Sequence, residues 1–143
     1  MFEEHQKTLA TSLEKAIEKN GKQALGISMF DHFFMRFPEA RKFFEDTCLA
    51  DFADVKFRLI SDHIVDSVAH PDYATYNLIS EIYRHRYFDV HDADYFYGFV
   101  DALCEAINDA LKEQWTPLQD EHWNEARLAA KAAIQQAFRE AGD

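Results

Sequence analysis

The histidine at position 85 is the residue whose type and position best suit metal or acid–base chemistry. Leu78, Ile82 and His85 follow one another at intervals of four and three, so in a helix the three side chains share one face. Two of them are apolar, which predicts that this face points inward. A neutral imidazole there either offers its lone pair to a metal or bonds to a carbonyl as an ordinary buried histidine.

Motifs of other chemistries are missing from the sequence. A phosphate-binding loop would need more glycine than the four residues the chain holds, and no His-Glu-x-x-His motif occurs. Cys48 and Cys104 match no metal or redox spacing and are expected to be reduced thiols of a cytoplasmic protein. His63, four residues after Leu59, either points inward or is hydrogen-bonded and partly exposed.

The charge of the chain restricts its partners. A net charge of −11 argues against nucleic acids and against anionic membrane surfaces, since both attract a basic protein surface. No apolar run approaches the length of a transmembrane helix. The first residues, Met-Phe-Glu-Glu-His, do not resemble a signal peptide, so we expect a cytoplasmic protein that contacts neither nucleic acid nor membrane.

Hydrophobic periodicity predicts an all-α chain of about seven helices that forms one domain over residues 1–143. Helices are expected at about 3–19, 22–37, 39–44 and 52–69, then one that carries His85, and two long helices at the end. Ala24, Ile27, Phe30, Val55 and Leu59 are among the expected inward positions. Residues 45–51 are expected to be a looser stretch, and Thr116 is expected to cap the last helix with Pro117 at its first position.

Six residues, His85 among them, carry a family resemblance. Pro38 opens the third predicted helix with Phe44 six residues later, and His85, Val90 and Tyr95 follow at intervals of five. Trp123 lies early in the last predicted helix. In this order, over nearly the whole of an all-α chain, these residues resemble those of the globin family, and of bacterial single-domain haemoglobins in particular. The resemblance implies a globin-like fold.

The same resemblance implies haem b as the cofactor, with His85 as the axial ligand of its iron. It implies that the Phe44 ring packs on the porphyrin. The other cofactor-binding residues that it implies are Phe30, Val55, Leu59, Ile82, Val90 and Tyr95.

One part of the pattern departs from the family. At the position that faces the gas ligand, many bacterial globins have Gln and animal relatives have His. The bacterial proteins also have Tyr on the second helix. Here those positions hold Val55 and Phe30, or Lys56 if the register shifts by one residue. Without a hydrogen-bond donor the site would retain O2 weakly and oxidise fast; Lys56 or His63 turned inward would change that expectation.

The function implied is the binding of a diatomic gas, O2, NO or CO, for sensing, storage or detoxification. A haem-free globin fold serving as a scaffold or signalling module is a second possibility. A third is an enzyme that consumes NO or peroxide at the haem with electrons from an external reductase. The sequence leaves open whether the chain forms a homodimer.

Overall fold

The structure, a computed structural model, describes residues 2–142. Across these residues the chain forms six α-helices and two short 3-10 helices, with no strand. The α-helices are α1 (Phe2–Asn20), α2 (Lys22–Arg36), α3 (Leu49–Ala69), α4 (Pro71–Tyr87), α5 (Ala93–Leu111) and α6 (Pro117–Glu140), and the 3-10 helices are Pro38–Phe44 and Lys112–Gln114. The all-α prediction is confirmed. Within the same residues no helix combines the length and the apolar character that crossing a bilayer requires.

Local sequence chemistry sets several of the helix ends. Gly21 separates α1 from α2 with a φ of 83°, a conformation that glycine adopts without strain. At the start of α6 the Thr116 hydroxyl accepts the Gln119 N–H at 3.1 Å, while Gln119 Oε1 accepts the Thr116 N–H at 2.8 Å. This capping box, with Pro117 in the first helical position, confirms the predicted N-cap.

Helix α3 begins earlier than the sequence pattern predicts. The expected loose stretch at 45–51 is wrong in its second half, because α3 is already helical at Leu49. The Cys48 carbonyl accepts the N–H groups of Asp51 at 3.1 Å and Phe52 at 3.2 Å, which closes the first turn. Neither glycine nor proline interrupts residues 45–52, and Asp51 in that turn suits the positive end of the helix dipole.

The core lies between α5 and the helices packed around it. Ten residues of α5 are buried, more than in any other helix of the described chain. The Phe99 ring stacks on Phe33 of α2 with centroids 3.8 Å apart. On α6 the predicted inward repeat is buried throughout: Trp123, Ala126, Ala130, Ala133 and Ala137. The small alanines let this long helix approach its neighbours closely.

Helices α2 and α3 touch backbone to backbone where they cross. A Cβ added to Gly26 would lie 2.5 Å from the Ala53 carbonyl carbon and 2.8 Å from the Ala53 Cβ. Position 26 therefore has to be glycine for the two helices to cross this closely. One turn further along α2, the Phe30 ring faces Phe52 of α3 with centroids 6.2 Å apart.

The crossing also fixes which face of α3 is buried, and it corrects the sequence analysis. The buried positions are Ala53, Phe57, Ser61, Ile64 and Ser67. The expectation that Val55 and Leu59 point into the core is wrong, since they are 39% and 44% exposed. Ala53 has to face Gly26, and the large Phe57 ring follows one turn later, so the apolar stripe on which Val55 and Leu59 lie is turned away from the core. Ala24 and Ile27 on α2, also expected inward, are exposed as well, Ile27 by 40%.

Replacing Gly26 by Ala should destabilise the protein, although Ala is worth about 1 kcal/mol more than Gly in an exposed helix. The added methyl group meets the Ala53 backbone, which cannot rotate aside, and overpacking of this kind typically costs about 1–3 kcal/mol. Urea unfolding followed by circular dichroism measures the loss. Gly98→Ala is the comparison variant, because there the new Cβ meets a half-buried side chain, the Phe37 ring, instead of a backbone, and we expect a smaller loss. Equal stability of Gly26→Ala and the parent would contradict the close crossing.

Candidate functional site

The side chain of His85 lies half-buried in the last turn of α4, held by its own helix. Its Nδ1 is 2.7 Å from the carbonyl oxygen of Glu81, four residues earlier. A carbonyl can only accept, so Nδ1 carries the proton and Nε2 bears the lone pair. Within residues 2–142 no hydrogen-bond partner is found for Nε2. The Phe96 ring of α5 packs against the imidazole with centroids 4.9 Å apart.

The electrostatic surroundings keep this imidazole neutral. Burial lowers the pKa of His85 below its ordinary value, the Glu81 carbonyl opposes that effect, and the positive charge of Lys56 adds to the lowering. The net direction is downward, so His85 is neutral at pH 7. A neutral imidazole with one nitrogen held by a carbonyl is the form in which histidine binds metals.

An aromatic cluster lies on the α2 side of this region. The Phe30 ring is at its centre, with ring centroids 5.2 Å from Phe44, 5.5 Å from Phe99 and 6.2 Å from Phe52. These four residues come from α2, the first 3-10 helix, α5 and α3. Phe30 and Phe99 are buried, whereas Phe44 and Phe52 are half-buried, so the cluster presents apolar surface at its edge.

Lys56 of α3 connects the aromatic cluster to His85. Its Nζ lies 4.8 Å from the centroid of the Phe99 ring, and its charge acts on the His85 imidazole. Burial lowers the pKa of Lys56 to about 8, with the charge of Glu81 opposing the shift. The register that the sequence left open between Val55 and Lys56 therefore has Lys56 on the side of the cluster and Val55 partly in solvent.

The other predicted site residues occupy varied positions. Ile82 is buried one turn before His85, and the N–H of half-buried Val90 donates to the His85 carbonyl at 2.9 Å. Tyr95 packs against Phe43 with centroids 5.7 Å apart, and its hydroxyl donates to Glu39. The cofactor-binding roles of Ile82, Val90, Tyr95 and Leu59 stay predictions.

Three phenylalanines near the site were missed by the sequence analysis. The sequence analysis gave Phe52, Phe96 and Phe99 no place at the site. Their signal was the excess of aromatic residues, 13 Phe in 143 residues. The number of phenylalanines does not predict which rings contact one another, because the packing of α5 against α3 and α4 is not encoded in local spacing.

His63 belongs to a different part of the structure. Its Nε2 is 3.3 Å from the Ala130 carbonyl of α6, and burial lowers its pKa to about 4 against a smaller opposing effect of that bond. His91 is exposed and pairs with Asp89 at 2.9 Å. Among the described residues no group of three or more His, Cys, Asp or Glu side chains is placed to hold a metal. His85 is thus a single candidate ligand.

His63 should make stability depend on pH. Its pKa falls from 6.5 in the unfolded chain to about 4 in the fold, so the unfolded state binds more protons between these values. The stability is complete above pH 6.5 and is lost as the pH falls towards 4. Comparison of urea unfolding at pH 7.5 and 4.5 should show His63→Gln losing roughly 2 kcal/mol less than the parent. Equal losses in the two proteins would contradict this environment.

Comparisons with known proteins assign no family. The sequence matches no protein-family model, and it matches no curated protein.

Proposed function

We propose that this chain is a globin-like protein that binds haem b through His85 and takes a diatomic gas, O2, NO or CO. One observation carries the proposal: a neutral imidazole whose Nδ1–H is held by a carbonyl, whose Nε2 has no hydrogen-bond partner among residues 2–142, and which packs against the Phe96 ring. When bound, haem supplies an iron that coordinates small gases.

The residues present fit a porphyrin better than a free metal ion. A single imidazole is too few ligands for a zinc or iron ion by itself, since structural and catalytic sites use three or four protein ligands. A porphyrin brings four nitrogens and needs one axial ligand. It is also flat and apolar, and the half-buried rings of Phe44 and Phe52 offer the flat apolar surface that such a group packs on.

Glu81 and Phe96 prepare His85 for this role. The Glu81 carbonyl fixes the tautomer and the direction of the ring, and a hydrogen bond of this kind raises the basicity of the other nitrogen. The Phe96 ring limits rotation of the imidazole. The backbone of the chain thus orients the axial ligand without a second polar side chain.

Lys56 of α3 brings a polar group to the aromatic cluster, because its Nζ lies over the Phe99 ring. An ammonium group there donates a hydrogen bond to a gas that carries partial negative charge, and hydrogen bonds from charged donors are worth about 1.5–3 kcal/mol. The expectation of weak O2 retention assumed that Val55 and Leu59 surround the gas. With Lys56 in that region we propose instead that retention of O2 depends on its ammonium group.

The haem-free scaffold is a second candidate, favoured by one observation. Phe30 is 2% exposed, because the rings of Phe44 and Phe99 pack directly on it. Rings that pack on one another in this way form the apolar core that a scaffold needs. The visible spectrum of the purified protein after addition of haemin separates the two candidates, since only a ligated haem gives a sharp shifted Soret band.

His85→Ala should abolish that band or weaken haem binding at least tenfold, because the axial nitrogen is removed while the aromatic rings remain. Imidazole added to the variant should restore part of the spectrum by supplying the missing ligand. His91→Ala is the matched control, since His91 is exposed six residues away and should leave the spectrum unchanged. A parent-like spectrum in His85→Ala would exclude His85 as the ligand.

Lys56→Met keeps the length of the side chain and removes its charge. In the cofactor-free protein the pKa of His85 should rise, because the charge that lowers it is gone, and histidine proton resonances followed against pH measure this. In the haem-loaded protein the O2 dissociation rate should increase roughly tenfold or more, which corresponds to the loss of one charged hydrogen bond.

Arg58→Met, two residues from Lys56 on the exposed side of α3, is the control for a change of surface charge. It should leave both the histidine titration and the O2 dissociation rate close to those of the parent. An O2 dissociation rate that is the same in Lys56→Met and the parent would remove Lys56 from the proposal.

A further inference from the structure

The outer face of α4 carries a row of exposed aromatic side chains, here called the tyrosine stripe: Tyr73, Tyr76, Tyr83 and Tyr87. All four are more than half exposed, and so is Phe88, which follows the last of them. Their spacing places them on one helical face, opposite the buried Ala74, Leu78 and Ile82. Monomeric proteins seldom leave so much contiguous apolar surface in water.

The same face is poor in acids. The chain has 26 Asp and Glu residues, but between positions 73 and 88 the only carboxylate is Glu81, and it pairs with Arg84 at 2.8 Å. Asn77 and Ser80 are the other exposed residues between the tyrosines. Tyr and Arg are enriched in protein–protein interfaces and acids are depleted. One carboxylate, itself paired with an arginine, adds little to the repulsion expected between two copies with a net charge of −11.

The order of residues along the stripe is nearly symmetric about Ser80. Tyr73 and Tyr87 lie seven residues on either side of it, Tyr76 and Arg84 lie four, and Asn77 and Tyr83 lie three. If two copies of α4 pack antiparallel with Ser80 on the twofold axis, each member meets its counterpart. Tyr73 then stacks on the partner's Tyr87, and Tyr76 meets the partner's Arg84, a cation–π pair.

Charges at the two ends of α4 complement one another in this arrangement. A groove of about 380 Å³ between α4 and α6 lies beside Tyr76, lined by Asp72, Thr75, Tyr76, Ile79, Gln136 and Glu140. It contains two carboxylates and no cation. The antiparallel arrangement brings the partner's Arg84 to Tyr76, next to Asp72. The small Ser80 lets the two helices approach at the axis.

The exposed area suits a dimer. Aromatic side chains bury about 150–250 Å² each when fully covered. Scaled by the exposed fractions of the five, this is at most roughly 500–840 Å² from each copy, comparable with the ~800 Å² per partner of a standard interface. Helix α4, 17 residues long, spans about 25 Å, which is enough for this contact.

We propose that this chain forms a twofold homodimer through the outer face of α4, packed antiparallel on α4 of a second copy with Ser80 at the axis. His85 shares the inner face with Leu78 and Ile82, so the dimer leaves it uncovered. The dimer is therefore independent of whether His85 binds haem.

A cysteine at the axis tests the geometry. In a Cys48→Ser background, which removes the exposed native thiol, Ser80→Cys should form a disulfide-linked dimer under mild oxidation, because the two copies of residue 80 face each other. Ala24→Cys, an exposed small residue on α2, is the matched control and should stay uncrosslinked at the same concentration. Crosslinking of the two variants to the same extent would overturn the proposal.

A charge exchange tests the contacts. Sedimentation equilibrium should show a dimer for the parent and at least a tenfold weaker one for Arg84→Glu and for Asp72→Arg. The double variant Asp72→Arg/Arg84→Glu should regain much of the affinity, since the signs are complementary again. Circular dichroism checks that each variant stays folded. The proposal would be overturned if the parent is monomeric at millimolar concentration, even if another protein binds the stripe. It would also be overturned if the charge exchange leaves the dimer affinity unchanged.

Discussion

The contact of Gly26 with Ala53 is the constraint on which the rest of the structure depends. It brings the backbones of α2 and α3 together and sets the rotation of α3 about its own axis. From that rotation follow the burial of Phe57, the partial exposure of Val55 and Leu59, and the position of Lys56 beside the Phe99 ring. A side chain at position 26 would have to push α3 outward and would displace the residues that face Phe30.

The elements that the sequence predicted correctly depend on local chemistry. Helix ends at Gly21, Pro38 and Thr116 follow from backbone preferences that operate within a few residues, and the α6 stripe follows from its regular alanines. The rotation of α3 was predicted wrongly because Val55 and Leu59 are apolar and regularly spaced. The competing stripe through Ala53 and Phe57 is favoured only by a residue on another helix, which no local pattern shows.

His85 and His63 illustrate the same limit at the candidate site. Both lie on apolar helical faces, and spacing alone treats them alike. The two histidines differ in the nitrogen that bonds: His85 bonds to its own helix through Nδ1, and its Nε2 has no partner within residues 2–142, whereas His63 bonds to the Ala130 carbonyl of α6 through Nε2. That difference arises from which helix packs opposite each histidine. Lys56, similarly, is an ordinary surface residue in the sequence until α5 covers it with Phe99.

The end of α4 has a consequence for entropy. Asp89 adopts a φ of 65°, which turns the chain back so that the N–H groups of Phe88 and Val90 both donate to the carbonyl of His85, at 3.0 and 2.9 Å. With the ring bonded to Glu81 as well, His85 is fixed at the main chain and at the side chain before any ligand arrives. Immobilising a side chain on binding costs about 0.5–1.5 kcal/mol of free energy. For His85 this loss of entropy occurs when the chain folds, so it does not oppose binding. The left-handed conformation of Asp89 would thereby contribute, through preorganisation, to the affinity of the group that we propose binds at Nε2.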